Sequence, residues 1–295
     1  MKILVAIDSS ASSDAVVSEV AARPWPSGTV VRVLNVVESI VGYPGVSDIE
    51  LLGHAETEAA RALVKSAAER IGAQGIDAHW VVTEGYTRAA ILDYARAWQA
   101  DFVFLGSHGH SRLTQFFLGS VAKTILQSGP CSVEIVRATE NYKSHSLGIK
   151  ILLATDGSHY SEAAARSIAN RPWPEGSKVK TISVVDSFES AGNLGFSARE
   201  VIDRIQEEKM RLCQDALSKA GNILLNAGLK AAGAVLTGDP RVRIIDEAKE
   251  WKADLVVLGT QGRSGFDRLV QGSVSEAVAI HVHCSVEVVR ERVTQ

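Results

Sequence analysis

The sequence predicts an α/β protein made of two three-layer domains, each with a five-stranded parallel sheet covered by helices on both faces. Three observations support this prediction. The length of 295 residues suits two domains of ordinary size. The chain consists of two copies of one pattern, and in each copy short apolar runs alternate with helical segments. Strands separated by helices pair in parallel through right-handed crossovers, which gives the three-layer arrangement.

The composition is that of a soluble globular protein, with 46% hydrophobic and 22% charged residues. A net charge of -3 gives no basic excess, so we expect neither nucleic acid nor an anionic membrane as a partner. Three cysteines do not form a secreted disulfide framework. The first apolar run is too short for a signal peptide or a membrane span. We therefore expect a cytoplasmic protein.

Three pairs of matching segments show that the sequence contains an internal repeat. Together they predict a first domain over residues 1–137, a polar linker over 138–148 and a second domain over 149–295. The matching pairs are 2–10 with 150–158, 23–26 with 171–174, and 131–137 with 284–290.

Apolar runs and helical periodicity predict the order of elements in the first copy. A helix follows the cap candidates Ser9 and Ser10 and ends before Pro24. Residues 42–53, which include Pro44, are predicted to form a loop. The second copy follows the same order, with its long helix over 199–227. The other predicted helices of the first copy are 54–71, 88–98 and 121–127, and its predicted strands are 3–7, 29–37, 78–83, 102–105 and 133–136.

Both copies carry the same glycine pattern after the fourth strand. Gly-x-x-Gly is followed by nine residues and then by Gly-Ser at the start of a helical segment. The first two glycines allow positive φ and close approach of the backbone to a ligand. Free amides at the helix start would attract an anion. The alternative is that these glycines only shape a turn. The residues are Gly106, Gly109, Gly119 and Ser120, and Gly259, Gly262, Gly272 and Ser273.

An aspartate follows the first strand of each copy, at Asp8 and Asp156. Ligands of such sheets bind beyond the carboxyl ends of the strands, where Asp8 would meet Gly106. A carboxylate there would accept hydrogen bonds from a ribose hydroxyl or a base amino group. The alternative is a helix N-cap.

Each copy resembles the universal stress protein family, in the branch that binds ATP. The glycine motif and the two aspartates match the family pattern, and the resemblance covers nearly the whole chain. It implies a Rossmann-like fold of the adenine nucleotide alpha hydrolase-like type. Adenine would lie near residues 36–37 and 184–185, with phosphates at the glycine loop and at residues after it, including Ala122. The nucleotide-binding residues expected from motif and resemblance are Ala6, Asp8, Ser10, Val36, Gly106, His108, Gly109, Gly119, Ser120, Val121, Ala154, Asp156, Ser158, Val184, Gly259, Gln261, Gly262, Arg263, Gly272, Ser273, Val274 and Ser275.

The resemblance also implies partners and a role. The ligand would be ATP, ADP or AMP, with or without Mg²⁺, and family members often pair through their last strands. Here that pairing would be internal, between residues 132–136 and 285–289, and a homodimer and an unidentified protein partner stay open. The sequence places no second carboxylate where it could hold Mg²⁺, and phosphoryl transfer would lack that stabilisation. A stress-response regulatory module is therefore favoured over a fast enzyme.

Two alternatives to that role remain. One is slow ATP hydrolysis or autophosphorylation, with Ser120 or Ser273 as acceptor. The other is a structural module without nucleotide. A metal site at His281, His283 and Cys284 is disfavoured, because further ligands are missing.

The copies differ where the ligand would lie. Residues 8–10 read Asp-Ser-Ser against Asp-Gly-Ser at 156–158. Tyr86-Thr87 stands opposite Asp239-Pro240, and His108 and His110 stand opposite Gln261 and Arg263. The two sites therefore need not bind equally.

Overall fold

The computed structural model divides into two compact units. It describes residues 1–38, 48–109, 118–137, 148–186, 196–260, 262 and 272–291, with the backbone alone at 48–52 and 196–199. Unit 1 denotes the described residues up to 137, and unit 2 those from 148 onwards.

Unit 1 alternates five strands with four helices. Its strands lie in the order β3-β2-β1-β4-β5, and all of their pairings are parallel. The elements are β1 (Lys2–Ala6), α1 (Ala11–Ala22), β2 (Val30–Val37), α2 (Asp48–Gly72), β3 (Asp77–Glu84), α3 (Thr87–Ala97), β4 (Phe102–Gly106), α4 (Ser120–Ser128) and β5 (Ser132–Val136).

Unit 2 repeats this topology, with the parallel order β8-β7-β6-β9-β10. Each unit is thus a five-stranded parallel α/β unit, and the predicted fold class is confirmed. The elements are β6 (Lys150–Ala154), α5 (His159–Ala169), β7 (Lys178–Val185), α6 (Phe196–Asn226), β8 (Ala231–Thr237), α7 (Pro240–Trp251), β9 (Leu255–Gly259), α8 (Ser273–His281) and β10 (Ser285–Val289).

The helices lie in pairs on the sheets: α1 contacts α2 and α3 contacts α4, and unit 2 pairs α5 with α6 and α7 with α8. Central strands such as β4 are buried along nearly their whole length, which explains their continuous apolar runs. In unit 1, Ile3 and Val5 pack with Val17 and Val64 from the first two helices. This core fixes where the carboxyl ends of β1, β2 and β4 meet.

One predicted loop is partly wrong. Residues 48–53 belong to α2, which begins at Asp48, whereas residues 39–47, including Pro44, lie outside the described part. A glycine in a helix costs about 1 kcal/mol relative to alanine. At Gly53, packing along the rest of this long helix outweighs that cost.

The repeated Arg-Pro-Trp-Pro motif supplies a buried ion pair in each unit. Arg23 forms a two-pronged contact with Glu134 of β5, at 2.8 and 2.5 Å, and also bonds Glu19. In unit 2, Arg171 bonds Glu287 of β10 at 2.6 Å. Both carboxylates are fully buried, so each arginine ties the end of a helix to the strand beside it.

Replacing Glu287 with alanine is expected to lower the free energy of unfolding by about 3–5 kcal/mol, because a buried guanidinium loses its carboxylate. Urea-induced unfolding measures this change. Glu291→Ala is the matched control, since Glu291 pairs with Arg166 on the surface and such pairs contribute about 0–1 kcal/mol. Equal effects of the two substitutions would contradict the buried pair's importance.

No helix within the described residues is both long enough and apolar enough to cross a membrane.

Candidate functional site

A cavity of about 760 Å³ opens at the carboxyl edge of the unit 1 sheet. It is lined by the ends of β1, β2 and β4, by one face of α2 and by the first turn of α4. Ligand pockets have volumes of about 300–1,000 Å³, so the cavity has room for a nucleotide-sized ligand. It lies where the strand order reverses around β1 and β4, as expected for a doubly wound sheet.

Asp8 follows β1 and lines the cavity. Its Oδ1 accepts hydrogen bonds from the Ser10 N–H at 3.0 Å, from the Ser10 hydroxyl and from the Ser13 hydroxyl at 2.8 Å. The Ser13 hydroxyl in turn accepts from the Asp8 N–H at 2.9 Å. These bonds hold the carboxylate in one orientation, with Oδ2 directed at the glycine loop.

The glycines act by close approach and not through the positive φ that glycine also allows, since neither Gly106 nor Gly109 is among the described residues with positive φ. A Cβ on Gly109 would lie 2.8 Å from Asp8 Oδ2. A Cβ on Gly106 would lie 2.6 Å from the Cβ of Ser12 in α1. The first glycine therefore makes room for a helix and the second for the carboxylate.

The N-terminus of α4 also borders the cavity. Its N-cap, Gly119, has no side chain to cap the helix, and its N–H donates to Ser107 O at 2.8 Å. Ser120, Val121 and Ala122 form the first helical turn and line the cavity. Amides of a first turn have no intrahelical acceptor, so this end offers donors and a partial positive charge to an anion.

His108 also lines the cavity. Ser107 Oγ is 2.9 Å from its Nδ1. Its Nε2 is buried and has no hydrogen-bond partner among the residues the structure describes. Burial, and then the positive charge of Arg137, lower the pKa of His108 below its ordinary value of 6.5. His108 is therefore neutral at pH 7.

We expect the stability of unit 1 to fall as the pH drops below about 6.5. The unfolded chain takes up the proton of His108 first, because folding lowers this pKa. The loss levels off once the pH is below the folded pKa. An NMR titration of the His108 ring should give a midpoint below 6.5, and His108→Gln should remove this component from urea-unfolding profiles. A midpoint at or above 6.5 would contradict the argument.

Two carboxylates of the cavity, Glu38 and Glu56, were not predicted from the sequence. Glu38 directly follows β2, so its position at a strand end is the same signal that identified Asp8. It accepts a 2.6 Å hydrogen bond from the Thr87 hydroxyl. Glu56 comes from α2, whose orientation against the sheet is not evident in the sequence. Among the described residues no cluster of three or more His, Cys, Asp or Glu side chains could hold a metal.

Most predicted residues of unit 1 come together around this cavity. Ser10 is not among the lining residues, because its N–H and hydroxyl are turned to Asp8. The predicted residues that line the cavity are Ala6, Asp8, Val36, Gly106, His108, Gly109, Gly119, Ser120 and Val121.

Unit 2 reproduces the central geometry. A Cβ on Gly262 would lie 2.8 Å from Asp156 Oδ2, and one on Gly259 would lie 2.6 Å from the carbonyl carbon of Tyr160. Gly272 caps α8 without a side-chain bond and donates to Thr260 O at 2.7 Å. Both units therefore show the same close approaches at their glycines, which chance does not explain.

The remaining predicted residues of unit 2 are placed as follows. Ala154 ends β6, Val184 lies near the end of β7, and Ser273 and Val274 open α8. Ser158 caps α5 by accepting from the Ser161 N–H at 3.3 Å.

The hydroxyl of Ser275 is already bound within unit 2. It donates to the backbone oxygens of Thr260 at 3.1 Å and Gly272 at 2.9 Å. Any contact from Ser275 to a ligand would therefore come from its backbone. Gln261 and Arg263 lie outside the described residues, as does His110.

The two strand-end loops differ in backbone as well as in sequence. Gly157 has φ +76°, a conformation that favours glycine, whereas Ser9 of unit 1 is not in the positive-φ region. Asp239 caps α7 by accepting from the Arg241 N–H at 2.8 Å, with Pro240 at the first helical position. Its counterpart Tyr86 forms no side-chain cap, so the two crevices have different borders.

Two universal stress proteins resemble the chain, one over nearly its full length and one over about half of it. A universal stress protein of Mycolicibacterium smegmatis is 27% identical over an alignment of 297 positions, which covers 98% of this chain and 97% of that protein. One of Methanocaldococcus jannaschii is 35% identical over 158 residues, or 53% of this chain and 88% of that protein.

The fold of the chain is shared with a crystal structure of a universal stress protein from Archaeoglobus fulgidus. The TM-score is 0.66 at 20% identity, and the match covers 98% of both chains.

The model of the universal stress protein family matches residues 1–137 and 149–290. Because these two matches take up most of the sequence, the chain belongs to the universal stress protein family, in its tandem two-domain form.

Proposed function

We propose that each unit binds an adenine nucleotide and that the protein acts as a nucleotide-linked regulatory module of the stress response. The observation that carries this proposal is the unit 1 cavity, which is bordered by the oriented carboxylate of Asp8 and by the open N-terminus of α4. A nucleotide has groups that match both, since its sugar and base offer hydrogen-bond donors and its phosphates are anionic.

The phosphate end of the ligand would contact main-chain amides. In unit 1 these belong to Gly109 and to the first turn of α4. A helix N-terminus contributes about 1 kcal/mol to an anion, besides its direct hydrogen bonds. The corresponding donors of unit 2 would come from Gly262 and the first turn of α8, since the amides of Gly119 and Gly272 already donate to Ser107 O and Thr260 O.

The nucleoside end would lie against the end of the second strand of each unit. Val36 lines the cavity beside Leu34 and Ile91, which gives the apolar surface that an adenine ring needs. Asp8 Oδ2 would accept a hydrogen bond from the ribose. The choice of adenine over other bases comes from family membership, and no contact in the cavity carries it alone.

Calorimetric titration of nucleotide-free protein tests the proposal. We expect saturable binding of ATP, ADP or AMP with up to two sites per chain. A nucleotide released from the purified protein by denaturation would identify the preferred ligand. Failure of all three nucleotides to bind would contradict the proposal and favour a structural module.

The alternative of slow turnover is tested in the same samples. Ser120 lines the cavity, so it could accept a phosphoryl group from a bound nucleotide, and Ser273 is its counterpart. Phosphate release or labelling of the protein, abolished by Ser120→Ala and Ser273→Ala, would favour an enzyme. Binding without either would favour the regulatory role.

A further inference from the structure

The amide side chain of Asn35 connects β2 to the chain segment that carries Asp8. Asn35 belongs to β2 and lines the unit 1 cavity. Its Nδ2 donates a hydrogen bond to the backbone oxygen of Ile7 at 2.8 Å. The Ile7 N–H donates to Leu34 O at 3.0 Å, so both backbone polar groups of Ile7 are bound to β2.

The Asn35 bond holds the peptide group between Ile7 and Asp8. The oxygen of this group accepts from Asn35, and its N–H donates to the Ser13 hydroxyl at 2.9 Å. Rotation of the peptide group would break these bonds and move the Asp8 carboxylate. That carboxylate lies close to the glycine loop, since a Cβ on Gly109 would be 2.8 Å from Asp8 Oδ2. Asn35 therefore helps to fix where Oδ2 lies.

Unit 2 forms the same sheet without this bond. Ser183 of β7 corresponds to Asn35, because each directly follows the residue that pairs with the last residue of β6 or β1. Ser183 is only 1% exposed, and its hydroxyl has no hydrogen-bond partner among the described residues. The fold does not require the bond, so the contribution of Asn35 concerns the segment that it holds.

We propose that Asn35 is a positioning residue for nucleotide binding by unit 1, because it holds the Asp8 carboxylate in place before the ligand enters. This inference rests on the proposed function, in which Asp8 Oδ2 accepts a hydrogen bond from the ribose. A group that is already ordered loses less conformational freedom on binding. Asn35 therefore acts through Asp8, and its effect is confined to ligands whose sugar carries hydroxyl groups.

Two ligands separate this positioning role from a general structural one. ATP carries both ribose hydroxyls, whereas 2′,3′-dideoxy-ATP lacks them and keeps the base and the phosphates. Both affinities are measured by calorimetry in Asp156→Ala protein, in which unit 1 is the intact site, with displacement titration for the weaker ligand. The variant is Asn35→Ser, which the fold should tolerate because unit 2 has a serine at the corresponding position.

Asn35→Ser should weaken ATP binding about three- to tenfold, which is the usual effect of losing one hydrogen bond. The affinity for 2′,3′-dideoxy-ATP should stay unchanged. Asn170→Ser is the matched control, because Asn170 is exposed at the C-terminal end of α5 in unit 2; it should change neither affinity. Equal losses for both ligands, or no loss for ATP, would overturn the inference.

A second measurement needs no nucleotide. In ligand-free protein, hydrogen exchange of the Asp8 N–H reports how firmly its peptide group is held, since this N–H donates to Ser13. Exchange should be about three- to tenfold faster in Asn35→Ser than in the wild type. Unchanged exchange would contradict the positioning role.

The outcomes separate this inference from the proposed function. If ATP does not bind, the proposed function fails and the role of Asn35 in binding fails with it. If ATP binds and Asn35→Ser leaves the discrimination between the two ligands unchanged, the positioning role is wrong and nucleotide binding stands.

Discussion

Asp8→Ala is expected to weaken adenine-nucleotide binding by unit 1 about 10- to 100-fold and to leave unit 2 unchanged. The substitution removes the acceptor proposed for the ribose, and hydrogen bonds to charged groups contribute about 1.5–3 kcal/mol. It also removes the Oδ1 atom that orders Ser10 and Ser13. In a calorimetric titration, one of the two binding events should disappear from the accessible concentration range.

Two further variants sharpen this prediction. Asp14→Ala is the matched control, because Asp14 lies on α1 and pairs with Arg70 on the surface; binding should be unaffected. Asp8→Asn keeps an acceptor for the serines but loses the negative charge, so its affinity should lie between those of wild type and Asp8→Ala. Full affinity in Asp8→Ala would refute the role of this carboxylate.

Gly259→Ala is expected to destabilise unit 2 by about 3 kcal/mol, at the upper end of the usual cost of overpacking. The added Cβ would lie 2.6 Å from the carbonyl carbon of Tyr160, 2.7 Å from its oxygen and 2.9 Å from the Ser161 nitrogen. These are backbone atoms of α5 and cannot move aside alone, and overpacking typically costs about 1–3 kcal/mol. Urea-induced unfolding measures the loss.

The chain supplies its own control for this substitution. Gly221 lies within α6 with nothing within 4 Å of an added Cβ, so Gly221→Ala should stabilise by about 0.5–1 kcal/mol. In unit 1 the obstacle to Gly106→Ala is first the Cβ of Ser12, and Ser12→Gly should partly rescue that variant. If Gly259→Ala leaves the free energy of unfolding unchanged, α5 and β9 are less closely packed than described.

The sequence predicted the location of the site because local features mark it. An aspartate after a buried strand and a glycine motif before a helix both mark the carboxyl edge of a parallel sheet. Because the chain contains an internal repeat, each of these features occurs twice, which strengthens the prediction. The element order followed for the same reason, since buried strands and amphipathic helices have separate periodicities.

The sequence did not reveal why particular glycines and carboxylates are needed at their positions. Gly106 and Gly259 were expected to let the backbone approach a ligand, whereas the residues that approach them most closely, Ser12 and Tyr160, are far away in the sequence. Close approach between distant segments leaves no local pattern. Glu56 was missed for a related reason, because a mixed-charge helix does not reveal which face it turns to the cavity.

Amide hydrogen exchange in the presence and absence of ATP tests the central claim, that main-chain amides hold the phosphates. We expect slower exchange on ATP binding at Gly109 and residues 120–122, and at Gly262 and residues 273–275. Unchanged exchange at both sets, under conditions where ATP is shown to bind, would contradict it.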